Sequence, residues 1–362
     1  RRAAMTTWNF SSGPAILPRS VVEKAAAAVL DFKGSGIGVL ECSHRSKRYE
    51  PVVAEAEARL RKLMGISDEY GVIFVQGGAS QQFAQVPMNI LASTETADYT
   101  DTGTWANKAI KEAKLYGNVN VIADTKEENG TYRSIPKMLL QTPGAKYLHI
   151  TSNNTIFGTQ WHEFPKTRVP LVSDMSSDIC SRVVDVSKFG VIYAGAQKNL
   201  GPSGVTVVIV RKDLLGKVDR KIPTMLDYRT HIDNGSMFNT PPAFGIFVLD
   251  LVLQWLEENG GIPAMEAKNK AKAAKLYAEI DRNPLFKGTV DVEDRSLMNV
   301  CFVTEKKELE AEFMKLGTER GFVDFNGHRS VGGFRASIYN AMPEAGIDAM
   351  VEAMQDLEKK FG

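Results

Sequence analysis

The chain has 362 residues, a length that predicts more than one hydrophobic core. Apolar residues make up 43% and charged residues 24%, ordinary values for a globular protein that argue against a disordered chain or a coiled coil. Lys and Arg total 44 against 43 Asp and Glu, so the net charge of +1 gives no reason to expect a nucleic-acid partner.

The three cysteines, Cys42, Cys180 and Cys301, lie far apart and lack metal-type spacing. They predict neither disulfides nor a metal site, but small buried residues in a reducing compartment, the cytoplasm. The longest stretch without charge or histidine, residues 70–94, is rich in glutamine, so no membrane span is expected. The first residues lack the apolar core of a signal peptide. Met5 is interpreted as a natural start and residues 1–4 as a cloning remnant.

In chain order, hydrophobic periodicity predicts helices followed by short apolar strands. Helices are expected over residues 21–32, 52–64, 81–91, 264–283, 305–317 and 346–361. Strands are expected over residues 72–75, 119–123, 147–150, 169–172, 191–194, 205–210, 300–303 and 335–339. Ser20 is the expected N-cap of the first helix, and Gly65 ends the second. The earlier strands are short and apolar, as expected for a parallel sheet covered on both faces.

A change of character near residues 257–261, where acidic residues, asparagine and glycine meet, predicts a domain boundary. The fold class is therefore predicted to be α/β. A large domain over residues 16–258 holds a mostly parallel sheet flanked by helices. A smaller α+β domain combines an N-terminal arm, residues 1–15, with residues 259–362.

A glycine-containing corner, Gly77-Gly78-Ala79-Ser80-Gln81, directly follows a predicted strand and opens a predicted helix. The N–H groups and positive dipole of such a helix start suit a phosphate group. The motif is neither a P-loop nor GxGxxG, and an ordinary strand–helix turn is the alternative interpretation.

Lys198 lies between two apolar strands in a loop of small residues. A partly desolvated lysine there would have a lowered pKa, which favours the neutral amine of Schiff-base chemistry, whereas a lone loop lysine is more often solvated. Asp174 follows a predicted strand, where ligands bind in open α/β sheets, although a helix N-cap is equally common there. Trp105 is either a core aromatic residue or a flat platform for a ring. Together these are the parts that pyridoxal phosphate requires.

The chain resembles class V aminotransferases of the fold-type I pyridoxal-phosphate superfamily. The resemblance rests on stretches that span nearly the whole chain in order. They are Asn9-Phe10-Ser11-Ser12-Gly13-Pro14-Ala15, Ser43-His44-Arg45-Ser46, Gln76-Gly77-Gly78-Ala79-Ser80, Ser173-Asp174-Met175-Ser176-Ser177, Gly195-Ala196-Gln197-Lys198-Asn199, Asn239-Thr240-Pro241-Pro242 and Gly327-His328-Arg329-Ser330-Val331-Gly332-Gly333-Phe334-Arg335-Ala336-Ser337.

The resemblance implies pyridoxal 5'-phosphate as cofactor and no metal. Lys198 is implied as the lysine that forms the Schiff base, and Asp174 as the partner of the pyridine nitrogen. Trp105 is implied to stack on the ring. The other implied cofactor-binding residues are Ala79, Ser80, Thr155, Gln197, Asn239 and Thr240.

Substrate recognition is likewise implied by the resemblance. Arg335 matches the clamp for the α-carboxylate, and His44, Arg45, His328 and Arg329 match a site for a distal anion. His44, Arg45, Asn239 and Thr240 are implied to serve the neighbouring subunit, so a homodimer with shared active sites is expected. Without the resemblance, solvated surface charges would be the preferred interpretation of the arginines.

The implied activity is ping-pong transamination between L-glutamate and 3-phosphohydroxypyruvate, which gives 2-oxoglutarate and O-phospho-L-serine in L-serine biosynthesis. Other class V enzymes, an alanine–glyoxylate aminotransferase or a cysteine desulfurase, remain alternatives. A non-catalytic phosphate-binding α/β protein is the alternative from another class.

Overall fold

A computed structural model describes residues 6–362, so the interpretation of Met5 and residues 1–4 lies outside the described residues. The strands are β1 (Trp8–Asn9), β2 (Tyr70–Val75), β3 (Thr96–Asp101), β4 (Asn118–Asp124), β5 (Leu148–Thr151), β6 (Asn153–Asn154), β7 (Thr159–Gln160), β8 (Leu171–Asp174), β9 (Phe189–Gly195), β10 (Thr206–Arg211), β11 (Phe286–Gly288), β12 (Asn299–Thr304), β13 (Phe322–Val323) and β14 (Phe334–Ser337). The helices are α1 (Arg19–Leu30), α2 (Glu50–Met64), α3 (Gly78–Ile90), α4 (Thr104–Ala113), α5 (Tyr228–Asp233), α6 (Ala243–Glu258), α7 (Gly261–Arg282), α8 (Glu308–Glu319) and α9 (Glu344–Phe361).

A seven-stranded sheet with the order β2-β10-β9-β8-β5-β3-β4 forms the centre of the fold. The strands from β9 to β4 pair in parallel, whereas β10 runs antiparallel to both of its neighbours. The predicted α/β class with a mostly parallel sheet is therefore confirmed.

Alternating side chains of the sheet pack on opposite faces. In β10, Val207 and Ile209 join the core beneath α2 and α6, while Val208 and Val210 join the core beneath α3 and α4. Because both faces are covered, the inner strands carry continuous apolar runs rather than an alternating pattern.

The C-terminal elements, from α7 onward, form a second core. β11, β12 and β14 make an antiparallel sheet that packs against α7, α8 and α9. β1 pairs in parallel with β13, and Phe10 is buried in the same core, so the N-terminal arm packs with the C-terminal elements. This packing supports the division at residues 16–258 and 259–362, whose boundaries remain a prediction.

Several local predictions were wrong. The first helix begins at Arg19, so Ser20 lies inside its first turn and the N-cap position belongs to Pro18. The strand predicted over 205–210 is antiparallel. β4 is an edge strand whose residues are partly or fully exposed, and it is not covered on both faces.

One local prediction was confirmed, and several elements had not been predicted. Gly65 ends α2 in the left-handed conformation, with φ of 66°. The domain boundary predicted near residues 257–261 coincides with the junction between α6 and α7, and it stays a prediction. β3, α4, α5 and α6 were not predicted. In the described part of the chain, no helix combines the length and apolar character needed to span a bilayer.

Candidate active site

Lys198 lies in the turn after β9, where the structure encloses its amine. Nζ donates a hydrogen bond of 2.6 Å to Thr155 Oγ1 and lies 5.6 Å from the centre of the Trp105 ring. Burial lowers the pKa of Lys198 to about 8, while Asp174 opposes this and Arg335 adds to it. The alternative of a solvated loop lysine is therefore wrong. An amine with this pKa is neutral in a minor fraction near physiological pH, a much larger fraction than for an ordinary lysine, and the neutral form can act as a nucleophile.

Thr155 joins the lysine to Arg335. The carbonyl of Thr155 accepts a bond of 3.3 Å from Arg335 Nη1, and Ser12 Oγ accepts one of 2.8 Å from Nη2. Arg335 Nε is buried and has no hydrogen-bond partner among the described residues. A buried guanidinium donor without a partner is costly, so Nε is available to a carboxylate, as the implied α-carboxylate clamp requires.

Asp174 is the last residue of β8 and is 5% exposed. Its Oδ1 accepts bonds from the Ser176 N–H at 2.9 Å and the Ser176 hydroxyl at 2.6 Å. No helix follows, so the N-cap alternative is wrong and the side chain stabilises a turn instead. Burial raises the pKa of Asp174, while Lys198 and Ser176 oppose this rise. Oδ2 accepts no hydrogen bond within residues 6–362.

Trp105 lies in the first turn of α4 and is half-buried. The Lys108 amine lies 4.8 Å and the Lys198 amine 5.6 Å from the centre of its ring. Its indole N–H is buried without a partner in the described chain. The position suits a platform beside the lysine better than a purely structural core residue.

The predicted phosphate corner has the expected geometry. Gly77 and Gly78 have φ of 96° and 65°, conformations that favour glycine, and α3 begins at Gly78. No side chain caps the helix start, so its first N–H groups face outward. Ala79 is half-buried and Ser80 is exposed at this corner.

Three further predicted cofactor residues lie near these elements. The half-buried Gln197 accepts a 2.9 Å bond from the Ala15 N–H through its carbonyl, next to Lys198. Asn239 lines a small cavity together with Gln81, close to the phosphate corner of its own chain. Thr240 lines a separate groove with His44. The implied roles of Asn239 and Thr240 across an interface remain predictions.

His328 and Arg329 lie in the loop before β14. His328 is half-buried, and its Nδ1 lies 2.7 Å from Ser330 Oγ. Burial lowers the pKa of His328, and Arg335 and Arg329 lower it further. The positive charges of Arg329 and Arg335 thus act on His328, and this local positive charge favours an anion.

The glycines of this loop have an internal explanation. A Cβ at Gly327 would lie 1.9 Å from the Gly332 carbonyl oxygen, and one at Gly333 would lie 2.5 Å from that of Phe302. Gly327 and Gly333 are therefore required because the loop lies close to the protein's own backbone.

His44 and Arg45 lie in the segment between α1 and α2. Arg45 is exposed and donates a 3.2 Å bond from Nε to His44 Nε2. Within residues 6–362, neither side chain contacts Lys198, Arg335 or Arg329. Their assignment to a neighbouring subunit therefore remains a prediction.

Sequence reasoning missed two residues that hold the site together. Ser12 binds Arg335, and the hydroxyl of Tyr339 donates a 2.7 Å bond to the Ser12 carbonyl. Ser176 binds Asp174. The Asp174-x-Ser176 spacing is typical of an Asx turn and could have indicated Ser176, whereas no local pattern indicated Ser12.

The arrangement fits pyridoxal 5'-phosphate. Lys198 supplies the amine, Asp174 Oδ2 supplies a free acceptor for a pyridinium N–H, and the α3 corner supplies N–H donors for a phosphate.

The cysteines are buried, as predicted, and burial raises the pKa of Cys180 and Cys301 to about 12. They therefore offer no reactive thiolate.

Comparison with known proteins agrees with this geometry. The model of the class V aminotransferase family matches residues 7–350. The chain is 54% identical to the phosphoserine aminotransferase of Phocaeicola vulgatus over 98% of this chain and 99% of that protein. The phosphoserine aminotransferase structure from Bacillus circulans subsp. alkalophilus has a TM-score of 0.94 and 49% identity, covering 99% of each chain. An alanine–glyoxylate aminotransferase from Nostoc has a TM-score of 0.76 at 14% identity, over 99% of this chain and 97% of that one, and so shares the fold alone. This chain belongs to the class V aminotransferase family.

Proposed function

We propose that this enzyme transfers the amino group between O-phospho-L-serine and 2-oxoglutarate, with 3-phosphohydroxypyruvate and L-glutamate as the other partners. The observation that carries the proposal is the Lys198–Thr155–Arg335 arrangement. It places a nucleophilic amine near an arginine whose Nε has no protein partner and can donate to a substrate carboxylate. The high identity to phosphoserine aminotransferases over the full chain supports the substrate.

Pyridoxal 5'-phosphate is the proposed cofactor, and when bound it supplies an electron sink for negative charge at the substrate Cα. Lys198 would hold it covalently, and Asp174 Oδ2 would accept the pyridinium proton. Trp105 and Thr155 would border the ring. Ala79, Ser80 and Gln197, with Asn239 and Thr240, would hold the phosphate.

Lys198 would have a second role once an amino acid replaces it on the cofactor. Its Nζ would serve as the general base and acid that moves the proton between the substrate Cα and C4′ of the cofactor, in either direction. The lowered pKa of about 8 suits this exchange, because the amine can both accept and donate near neutral pH.

Arg335 would bind the α-carboxylate that every substrate carries. Nε is the donor left without a protein partner, and the planar guanidinium can bind two oxygens at once. His328 and Arg329, joined by His44 and Arg45 of a second subunit, would bind the distal phosphate or carboxylate.

The alternatives fit less well. An alanine–glyoxylate substrate pair has no distal anion, which would leave His328 and Arg329 without a role. A cysteine desulfurase needs an accessible reactive cysteine, and the three cysteines are buried. We expect the enzyme to act in L-serine biosynthesis in the cytoplasm, as a homodimer whose active sites are shared across the interface.

The test is the absorbance spectrum of the purified protein with pyridoxal 5'-phosphate. A band near that of a protonated Schiff base should form and be erased by borohydride. O-phospho-L-serine and L-glutamate should each convert this band, whereas L-alanine should do so poorly. Lys198→Ala should bind cofactor without the band and should not turn over. If O-phospho-L-serine fails to convert the wild-type band while L-alanine succeeds, the substrate proposal is wrong.

A further inference from the structure

Ser176 makes three hydrogen bonds around the cofactor-facing carboxylate. Its N–H and its hydroxyl both donate to Asp174 Oδ1, at 2.9 and 2.6 Å. Its hydroxyl oxygen also accepts a 3.1 Å bond from the N–H of Gly195, at the end of β9. Ser176 therefore ties the carboxylate of β8 to the strand that leads into Lys198.

The direction of these bonds follows from the groups involved. A backbone N–H can only donate, so the Ser176 oxygen accepts from Gly195 and its one proton is available to Asp174. Oδ1 then accepts from two donors and is poorly placed to carry a proton. The remaining oxygen, Oδ2, is left as the acceptor that a pyridinium N–H requires.

The burial of Asp174 makes the hydrogen bonds from Ser176 important for keeping its carboxylate ionised. Asp174 is almost fully enclosed, and desolvation favours its protonated form. Lys198 and Ser176 act against desolvation. Because Lys198 is proposed to react with the cofactor, the Ser176 contribution is the one that does not depend on that amine.

We propose that Ser176 is a positioning residue that fixes Asp174 Oδ1 and presents Oδ2, ionised and correctly oriented, to the ring nitrogen of the cofactor. This proposal rests on the proposed function, since it assumes that the ring of pyridoxal 5'-phosphate binds beside Asp174.

Two neighbouring serines provide matched controls. Ser177 is buried and also makes two side-chain hydrogen bonds, donating to the Asn153 carbonyl and accepting from Asn153 Nδ2 at 2.9 and 2.8 Å, but it does not contact Asp174. Ser173 is buried beside Asp174 in β8, and its hydroxyl has no partner in the described chain. Alanine at either position removes the same atom without touching the carboxylate.

The experiment compares two probes on the apoenzyme by quenching of tryptophan fluorescence: pyridoxal 5'-phosphate and its 1-deaza analogue, which lacks the ring nitrogen. Ser176→Ala should weaken binding of pyridoxal 5'-phosphate by about tenfold, as expected for a lost hydrogen bond to a charged group. Binding of the deaza analogue should change little. Ser177→Ala and Ser173→Ala should change the affinities for the two probes by the same factor, if they change them at all.

Equal effects of Ser176→Ala on both probes, or no effect on either, would overturn the positioning role. Thermal unfolding of the apoprotein checks that the variant folds. If it does not, Ser176→Cys, which keeps the size but has a weak donor, should show the same discrimination. If the wild type binds both probes equally, the pairing of Asp174 with the ring nitrogen is wrong, and if it binds neither probe, the cofactor assignment fails instead.

Discussion

The two arginines that we propose to bind the substrate lie in different surroundings. Arg335 is held by Thr155 and Ser12 beside Lys198, whereas Arg329 is exposed in the loop with His328. Under the proposed roles, Arg335 contacts the carboxylate common to all substrates and Arg329 contacts only the distal anion.

This separation predicts how two substitutions divide the substrates. Arg329→Leu should reduce kcat/KM for O-phospho-L-serine more than for L-glutamate, because a phosphate dianion loses more than a carboxylate. The loss should be roughly 1.5–3 kcal/mol, the usual value for a hydrogen bond to a charged group. Arg335→Leu should damage both donors about equally. Separate half-reactions, followed by the cofactor spectrum, measure each value. Equal damage by Arg329→Leu would show that the assignment is wrong.

The environment of Lys198 predicts its titration in the apoenzyme. Burial lowers its pKa to about 8, so its labelling by trace acetic anhydride should rise through that pH, whereas exposed lysines have a reference pKa of about 10.4. Asp174→Asn should lower the apparent pKa further, because Asp174 favours the ammonium form. Mass spectrometry of the labelled peptides gives both curves. A Lys198 that titrates with the exposed lysines would contradict the enclosed amine.

Individual site residues differed in how far the sequence could predict them. Lys198 and Asp174 follow apolar strands, so the sheet alone indicates that they meet at one edge. Arg335 and Ser12 are separated by 323 residues, and only the packing of the N-terminal arm brings them together. The site residues on loops required the family resemblance.

At the scale of elements, the sequence predicted helices and strands that have simple apolar patterns. β3 was missed because Asp98, Thr100 and Asp101 interrupt its apolar run, although these polar side chains are buried. Thr142, Asn107 and Tyr132 donate hydrogen bonds to these carboxylates, although Asp98 Oδ1 has no partner in the described chain. Thr142 and Tyr132 lie 44 and 31 residues from the carboxylates they bind, so no local pattern could indicate a buried strand.

A cluster of three buried asparagines connects the two cores beside the active site. Asn199, next to Lys198, accepts a 3.0 Å bond from the N–H of Asn340, which follows the strand that carries Arg335. Asn340 also donates to the Cys180 carbonyl at 3.0 Å, and Asn269 donates to Asn340 Oδ1 at 2.7 Å. The cluster therefore fixes Arg335 relative to Lys198.

Asn340→Ala should lower the unfolding temperature by on the order of 5 °C, because it leaves buried polar groups unpaired. It should also raise KM for both amino donors, because the segment after β14, the strand that carries Arg335, loses its side-chain bonds to the Cys180 carbonyl and to Asn269 and keeps only the N–H bond to Asn199. Asn283→Ala is the control, because Asn283 is equally buried and bonds to Glu279 and Met354 within the C-terminal core. The control should lower the unfolding temperature without changing KM. A similar KM for both variants would exclude the proposed coupling.

At the scale of the whole molecule, the active site draws on every part of the chain. Lys198 and Asp174 come from the central sheet, Arg335 from the C-terminal sheet, and Ser12 from the N-terminal arm. Arg45 lies apart from all of them on an exposed segment. Leu40 and Phe238, near Arg45 and Thr240 in sequence, expose 63% and 41% of their surface, as expected for residues that a second subunit covers.

Mixed dimers test this arrangement. Arg45→Ala should impair binding of the distal anion, and Lys198→Ala should abolish the chemistry, so each homodimer should be weakly active or inactive. If Arg45 serves the neighbouring subunit, a mixed dimer contains one site with both substitutions and one site with neither. Activity should then reappear when the two variants are mixed under conditions that allow subunits to exchange.

The opposite geometry gives a different result. If Arg45 acts within its own subunit, each site of the mixed dimer carries one substitution, and mixing cannot restore activity. Arg329→Ala provides the control, because Arg329 lies in the same chain's loop beside His328, whose pKa is lowered by both Arg329 and Arg335. A mixture of Arg329→Ala with Lys198→Ala should therefore gain no activity on subunit exchange. The mixture of Arg45→Ala with Lys198→Ala should gain activity. Recovery in both mixtures, or in neither, would contradict the shared site. Subunit exchange can create an intact site only when the substituted residue and Lys198 of that site belong to different subunits.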